Sequence, residues 1–257
     1  MKIRRIMHLL VGLCIALFAC SPDNKNEVEI TLSADGIDDG EELSISLGCM
    51  HAEQPDLATA TLDDKVAKFR FIAEGPRMYY IKVKETTGLL KVMADQGDHV
   101  RVSAPAEKRE DPDGRSHYVF SNVVVQGSRT HQEYEQRNLD PDRLDKIYPH
   151  YQNKYADVLD ALNKAVSQEQ RDSILATQRG KEMAKAEKDF FQTVQTVYNK
   201  CFLENRDSWW GPMLMLDNMN YLDQSQRDIY EQFSARAKQS FYGKIAHDLL
   251  YPESESE

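Results

Sequence analysis

The feature that most constrains the fold is a change of hydrophobic period at Gly127 and Ser128. From about Glu27 to this point, apolar and polar residues alternate, as in strands with one buried and one exposed face. The apolar members of this alternation are Ile30 and Leu32; Leu43, Ile45 and Leu47; Phe69 and Phe71; Tyr79, Ile81 and Val83; Leu90, Val92 and Ala94; Val100 and Val102; and Val123 and Val125. Turn sequences such as Gln96-Gly97-Asp98 separate the runs. Seven or eight short strands predict an antiparallel β-sandwich or an open barrel.

After Ser128 the apolar residues recur at intervals of three and four, which is the period of an amphipathic helix. Asp140-Pro141 predicts a helix start, and Pro149 predicts a kink or break close behind it. Ser167 and Gln170 have capping-box spacing and predict a second helix, with Cys201 on its packed face. Further helices are expected near Asp207-Ser208 and from Asp223.

These two patterns predict the α+β class, with strands first and helices after. We expect a β-sandwich domain at residues 27–130 and a helical domain at residues 131–251. Both are of ordinary domain size. The last residues, 252–257, form an acidic tail that we expect to fray.

The N-terminus has the pattern of a secretory signal. Basic residues precede an apolar run from Leu9 to Phe18, which is about half of the roughly 20 residues needed to cross a bilayer. Ala19 then stands directly before Cys20, in a sequence similar to the lipobox that a lipoprotein signal peptidase cuts. The prediction is a signal peptide at 1–19, lipidation of Cys20 and a tether at 20–26. The alternative is an ordinary signal peptide in which Cys20 is incidental.

A lipidated Cys20 makes a membrane the first expected partner. Diacylglycerol and an amide-linked acyl chain together give stable anchoring, whereas one chain is marginal. The expected location is the cell envelope, lipid-anchored, with the protein facing either the periplasm or the cell surface. Nucleic acid is not expected as a partner, because 32 Lys and Arg residues stand against 42 Asp and Glu residues.

Two cysteines remain in the body of the chain, Cys49 and Cys201. An oxidising compartment would permit a disulfide between them, and the alternative is two buried thiols. The chain contains no Cys-x-x-Cys, the dithiol motif of thioredoxin-like redox enzymes.

Several segments together resemble a known family. They are the lipobox at Cys20, the strand sequence 66–71, the strand pair 79–83 and 89–93, the turn and strand 96–102, the segment 125–134 and the stretch 204–210. In this order they resemble the N-terminal domain of unknown function that precedes the thioredoxin domain in lipid-anchored, TlpA-like (AhpC/TSA) thiol-disulfide oxidoreductases. The resemblance implies a two-membrane bacterium, with the outer membrane as the site of anchoring. The Trp-Cys-x-x-Cys of that family's thioredoxin domain is absent, so we expect no catalytic residue to carry over.

No other motif in the sequence indicates an enzyme. The histidines lack metal-ligand spacing, and His131-Gln-Glu133 comes nearest to it, although residues two apart on a helix diverge. Gly-x-Ser-x-Gly and glycine-rich phosphate loops are absent from the sequence. We therefore expect neither a metal nor a cofactor, and no catalysis.

Aromatic residues supply the candidate binding sites. Trp209 and Trp210 are adjacent at an expected helix start, where one can face a ligand or both can fill a seam between elements. Tyr151 and Tyr155 follow helical spacing and are read first as packing, with the lining of a cleft between the two halves as the alternative. The expected function is a non-catalytic interaction or ligand-binding module. The alternatives are an accessory partner of a separate thioredoxin-like oxidoreductase and a glycan-binding lipoprotein.

Overall fold

The computed structural model describes residues 25–111, 114–219, 222 and 226–252. The predicted signal peptide, Cys20 and the first part of the tether lie outside these residues. So do the helix start expected at Asp223 and the tail beyond Pro252.

Strands fill the first half of the described chain. Their bounds are β1 Glu27–Ser33, β2 Glu42–Leu47, β3 Asp56–Thr61, β4 Val66–Ile72, β5 Arg77–Val83, β6 Leu90–Ala94, β7 His99–Ser103, β8 Ala106–Glu110, β9 Ser116–Phe120 and β10 Val124–Gln126.

These strands form two four-stranded sheets and a hairpin. Sheet A has the order β10-β7-β1-β4, sheet B has the order β3-β2-β5-β6, and β8 pairs with β9. Pairing is antiparallel except between β1 and β7, where Ile30 lies beside Val100 in parallel register. The sequence suggested antiparallel pairing throughout. This pair differs because no hairpin joins β1 to β7, and the chain builds sheet B between them.

Residues from both sheets share one core. Ile30 of β1, Phe69 of β4, Ile45 of β2 and Ile81 of β5 are all fully buried in it. The alternation along each strand directs these side chains inward, because neighbouring residues of a strand point to opposite faces. The expected α+β class, with strands before helices, is confirmed.

Helices follow the last strand. Their bounds are α1 Arg129–Arg137, α2 Leu139–Lys154, α3 Ala156–Lys164, α4 Gln168–Ala176, α5 Gln178–Glu204, α6 Trp210–Asn218, α7 Arg227–Glu231, α8 Ala235–Lys238 and α9 Phe241–Leu250.

The predicted helix starts are partly right. Ser167 accepts a hydrogen bond from the backbone of Gln170, as the capping box requires. The helix expected at Asp140 starts at Leu139 instead, and it runs through Pro149 to Lys154 without a break. The second expected helix is two helices, because Thr177 caps a new start at α5.

The junction between strands and helices depends on Gly127. This residue has φ +86°, and a Cβ atom there would lie 2.1 Å from the carbonyl oxygen of His99. Ser128 follows in extended conformation and caps α1 by accepting from the backbone N–H of His131. Glycine is needed because other residues would meet both a left-handed backbone and a clash.

A second apolar cluster joins the outer face of sheet B to the C-terminal helices. Met78 of β5 and Met93 of β6 point away from the first core and pack with Met213 and Leu214 of α6. All four side chains are fully buried. Burial of this kind contributes about 1.5 to 3 kcal/mol per side chain at most, so the helices are held firmly against the sheet.

Candidate functional site

The candidate site is an open cavity of about 500 Å³ on the outer face of sheet B. Its floor is formed by β5 and β6, and one wall by the end of α6. The loop 48–54, between β2 and β3, forms the other wall. Alternation along β5 explains the floor, since Tyr80 and Lys82 face outward while Tyr79 and Ile81 face the first core. This size falls within the range of small-molecule sites.

Asp217, near the end of α6, is the buried centre of this wall. Its side chain is 1% exposed, and one carboxylate oxygen lies 2.8 Å from the ammonium group of Lys91. The Tyr134 hydroxyl of α1 donates to the other oxygen at 2.7 Å. The Cys49 thiol donates to the carboxylate at 3.6 Å. A buried carboxylate needs such partners, so Asp217 connects β6, α1 and the loop 48–54 at one point.

The groups around Asp217 keep fixed protonation states. Burial alone would lower the pKa of Lys91, but the charge of Asp217 and the hydrogen bond to it raise this pKa above its usual value. Burial, followed by the charge of Asp217, raises the pKa of Tyr134 far above the usual tyrosine range. Lys91 is therefore a cation and Tyr134 a neutral donor at physiological pH.

Cys49 is a protonated thiol in this arrangement. It is buried, and burial followed by the charge of Asp217 raises its pKa well above the usual value. Its sulfur also lies 3.7 Å from the Tyr80 hydroxyl. A nucleophilic cysteine needs a lowered pKa and access to solvent. Cys49 has neither, and its contacts are those of a structural residue.

The loop 48–54 is held close to the sheet and to α6. The Gly48 backbone N–H donates to the carbonyl of Met78 at 2.9 Å. His51 Nε2 lies 3.0 Å from the carbonyl oxygen of Leu216, and a carbonyl can only accept, so this nitrogen carries the proton. Cys49 and His51 both have left-handed φ angles, 60° and 53°. These bonds fix the mouth of the cavity.

Cys201 lies on α5 and not in the cavity. Its thiol donates to the carbonyl of Arg137 at 3.3 Å, and burial raises its pKa to about 12. Both Cys49 and Cys201 are free and buried. The structure therefore contains two buried thiols and not the disulfide that the sequence left open.

Trp209 and Trp210 both pack in the second apolar cluster. Their rings stack on each other at 4.0 Å, and Trp209 also stacks near Tyr242 at 6.1 Å. Trp210 is buried, with the Arg137 guanidinium 5.0 Å above its ring. Both rings therefore fill the seam between elements, as one of the two expectations had it, and Trp209 keeps part of its surface exposed.

Tyr151 and Tyr155 do not line a cleft between the two halves. They contact each other at 5.3 Å and belong to a small cluster with Val158 and Met183. This cluster joins helices α2 to α5 away from both sheets. Both tyrosines therefore pack among the helices, as the first interpretation expected, because Met183 of α5 lies in the same cluster.

His131 has a structural position. It is buried, and its Nδ1 accepts a hydrogen bond from the Met93 backbone N–H at 3.1 Å. Burial lowers its pKa to about 4. Within the described residues, no group of three or more His, Cys, Asp or Glu side chains is arranged to hold a metal ion. Cys20 lies outside these residues.

The sequence interpretation missed most of this site. Asp217, Lys91, Tyr80, Lys82 and His51 were not singled out. Lys91 and Lys82 occupy the outward positions of their strands, where a charged residue is ordinarily solvated. The sequence marks only Asp217, an acidic residue that directly follows the apolar run 209–216.

Comparison with known proteins adds no relative. No protein-family model matches the chain, and a search of curated proteins finds no similar sequence. The resemblance to the TlpA-like N-terminal domain therefore stays a prediction from the sequence. Among the described helices, none combines the length and the apolar character that a membrane span requires.

Proposed function

We propose that this chain is a non-catalytic, lipid-anchored envelope protein that binds a small molecule in the cavity on sheet B. The observation that carries the proposal is the cavity itself. It is about 500 Å³ in volume, and apolar surface from Leu47 and Leu89 meets the polar groups of Tyr80, Lys82 and Lys91 there. Polar groups that converge in a hollow beside apolar surface are typical of ligand sites.

The chemistry of the cavity favours binding over catalysis. Asp217 already bonds to Lys91 and Tyr134, so it does not present a free base to the cavity. The Cys49 thiol is protonated and buried. Nucleophilic catalysis needs a side chain activated by a neighbouring base, and neither group meets that requirement.

The anchor rests on the lipobox at Cys20. Six residues, 21–26, separate Cys20 from β1, and even fully extended the chain from Cys20 to Glu27 spans no more than about 25 Å. The β-domain would therefore lie close to the membrane surface.

Metabolic labelling with palmitate tests the anchor. The parent chain should take up label and partition into detergent, and Cys20→Ser should do neither. Equal labelling of both chains would remove this part of the proposal.

The ligand cavity is tested by filling it. Ser46 lines the cavity on the outer face of β2, so Ser46→Phe places a ring in it. Ser33→Phe, at an exposed position of β1, is the matched control. Each protein is purified from cell envelopes, and mass spectrometry identifies the small molecules released on denaturation. A compound released by the parent and the control but not by Ser46→Phe supports the proposal. Its release from all three, or from none, contradicts it.

The two alternatives receive less support. An accessory role in thiol-disulfide exchange would need an accessible thiol, and both Cys49 and Cys201 are buried with raised pKa values. Glycan binding would need an exposed ring face, and Trp209 and Trp210 cover each other. Both alternatives remain predictions from the sequence.

A further inference from the structure

Two ammonium groups and two carboxylates line the cavity. Lys91 and Lys82 lie on its floor, with side chains that are 41% and 31% exposed. Asp217 also borders the cavity, but at 1% exposure it lies behind Lys91. Glu53, the other carboxylate, is 92% exposed at the rim, so Lys82 and Lys91 supply the accessible charged groups on the floor of the cavity.

Each ammonium group has donors to spare. An ammonium carries three N–H bonds, and Asp217 occupies one from Lys91. The carboxylate paired with Lys82 is Glu53, at 4.0 Å and 92% exposed. An ion pair so long and so exposed is worth little, and a ligand can displace it. The pair of lysines is thus a set of incompletely used cationic donors.

The sheet register holds the two lysines near each other. Lys91 is directly opposite Tyr80 in the antiparallel pair of β6 and β5. Lys82 lies two residues beyond Tyr80 and points to the same face of the sheet. Diagonal neighbours of this kind are about 7 to 8 Å apart, within the reach of one head group between two long side chains.

Part of the remaining surface of the cavity is apolar, beside the polar side chains of Ser46, His51 and Gln54. Leu89, two residues before Lys91, is 49% exposed, and Leu47 and Met219 are partly buried around the same space. A molecule that fills the cavity must therefore cover hydrocarbon with one part while its charged part contacts the lysines.

From these observations we infer that the ligand of this cavity is a small organic anion. Its carboxylate or phosphate head group lies between Lys82 and Lys91, and its apolar body lies over Leu47, Leu89 and Met219. The inference rests on the proposed function and adds the chemical class of the ligand. The Cys49 sulfur, 3.7 Å from the Tyr80 hydroxyl, is a weak hydrogen-bond acceptor, so this hydroxyl is a further donor for the head group.

Four probes that share an octyl chain and differ in head group separate the effect of head-group charge from that of the apolar chain. Octanoate and octyl phosphate carry the two anionic heads, octan-1-ol a neutral head and octylamine a cationic head. Their dissociation constants are measured by calorimetry on the intact chain, below the concentrations at which they aggregate. We expect at least one anionic probe to bind about tenfold more tightly than the alcohol and the amine, which corresponds to one charge-assisted hydrogen bond. The two anions distinguish a carboxylate from a phosphate ligand.

Substitutions then test which lysines bind the anionic head group. Lys82→Met keeps the length of the side chain and lies outside the Asp217 network, so the protein should fold and bind the anion about tenfold more weakly. Lys68→Met, an exposed lysine on β4 away from the cavity, should change binding by less than about twofold. The double variant Lys91→Met with Asp217→Asn removes the second ammonium without leaving a buried charge unpaired. All three should bind octan-1-ol as the parent does.

Three results would overturn the inference. They are equal binding of octan-1-ol or octylamine and the anions, unchanged anion binding in Lys82→Met and in the double variant, and no binding of any probe. The proposed function is judged separately by the compound released from the parent and from Ser46→Phe. A neutral compound released by the parent and by Ser33→Phe, but not by Ser46→Phe, would therefore preserve the ligand site while excluding the anion.

Discussion

The Nδ1 atom of His131 accepts a hydrogen bond from the backbone N–H of Met93 at 3.1 Å, and both residues are buried. Met93 belongs to β6, an edge strand of sheet B. A bare edge strand exposes unpaired backbone groups that can pair with other chains. The first helix after the strands thus covers this edge and satisfies one of its donors.

This bond predicts a loss of stability in mild acid. Burial lowers the pKa of His131 from 6.5 to about 4, so between these values the unfolded chain holds a proton that the folded chain lacks. The free energy of unfolding should therefore fall as the pH drops from about 6.5 to about 4, by about 3 kcal/mol from this group. Denaturant unfolding at a series of pH values measures it.

His131→Asn is the control for that series. Its amide oxygen can accept from the Met93 N–H but does not titrate. The difference in unfolding free energy between parent and variant should shrink across this range, because carboxylates common to both chains cancel. Parallel curves for the two proteins would show that His131 does not carry the effect.

Removal of the Asp217 carboxylate should destabilise the fold. Asp217→Ala leaves the Tyr134 hydroxyl and the Cys49 thiol without their acceptor, and Lys91 without its counterion. We expect the free energy of unfolding to fall by about 2 to 3 kcal/mol, below the usual cost for a fully buried pair because Lys91 is partly exposed. Glu53→Ala, which removes an exposed carboxylate at the rim, should change it by less than about 0.5 kcal/mol. Equal effects of the two changes would refute this assignment.

The two thiols should resist alkylation in the folded protein. The pKa of Cys201 is about 12, so at pH 8 its thiolate is on the order of one part in ten thousand, and burial raises the pKa of Cys49 as well. Iodoacetamide labelling followed by mass spectrometry should show little modification of either residue until denaturant is added. Cys49 and Cys201 separate in a peptide digest, so each is scored alone. Rapid labelling of the native protein at either site would contradict the burial described above.

The Tyr242 hydroxyl of α9 accepts a hydrogen bond from the Met78 backbone N–H at 2.7 Å. Tyr242→Phe keeps the ring and leaves this buried N–H without its acceptor. The expected cost is about 1 to 3 kcal/mol in unfolding free energy. Tyr148→Phe, on a partly exposed ring of α2, should cost less than about 0.5 kcal/mol. A Tyr242→Phe protein as stable as the parent would mean that another group satisfies Met78.

The strands that could be predicted are those with a buried face. β1, β4 and β5 alternate clearly because one side of each lies in the first core. β3 and β8 gave no signal. β3 is largely exposed, and β8 reads Ala-Glu-Lys-Arg-Glu with almost every residue in solvent. Alternation reveals burial rather than extended backbone, so strands without a buried face escape it.

The helix boundaries and the site were harder to predict from the sequence, because they depend on contacts between distant residues. A helical period was expected after Ser128, but the boundary at Asn138 between α1 and α2 was not predicted, and Asn138 makes no side-chain cap bond there. The contact of Tyr134 with Asp217 joins residues far apart in the chain, which no local pattern reports. Lys82 and Lys91 line a cavity only because α6 and the loop 48–54 pack on the outer face of the sheet, and these contacts are not visible in the local sequence.

The parallel pair of β1 and β7 also sets an order of folding. β1 is an inner strand of sheet A, between β4 and β7, so it stays half-paired until His99–Ser103 has been made. Sheet B, in contrast, draws all its strands from residues 42–94 through local hairpins and one short crossover. Because distant parallel pairing is slow, sheet B should form before sheet A when the unfolded chain folds. β1, although it is the first strand of the chain, would then be among the last strands of the β half to pair fully.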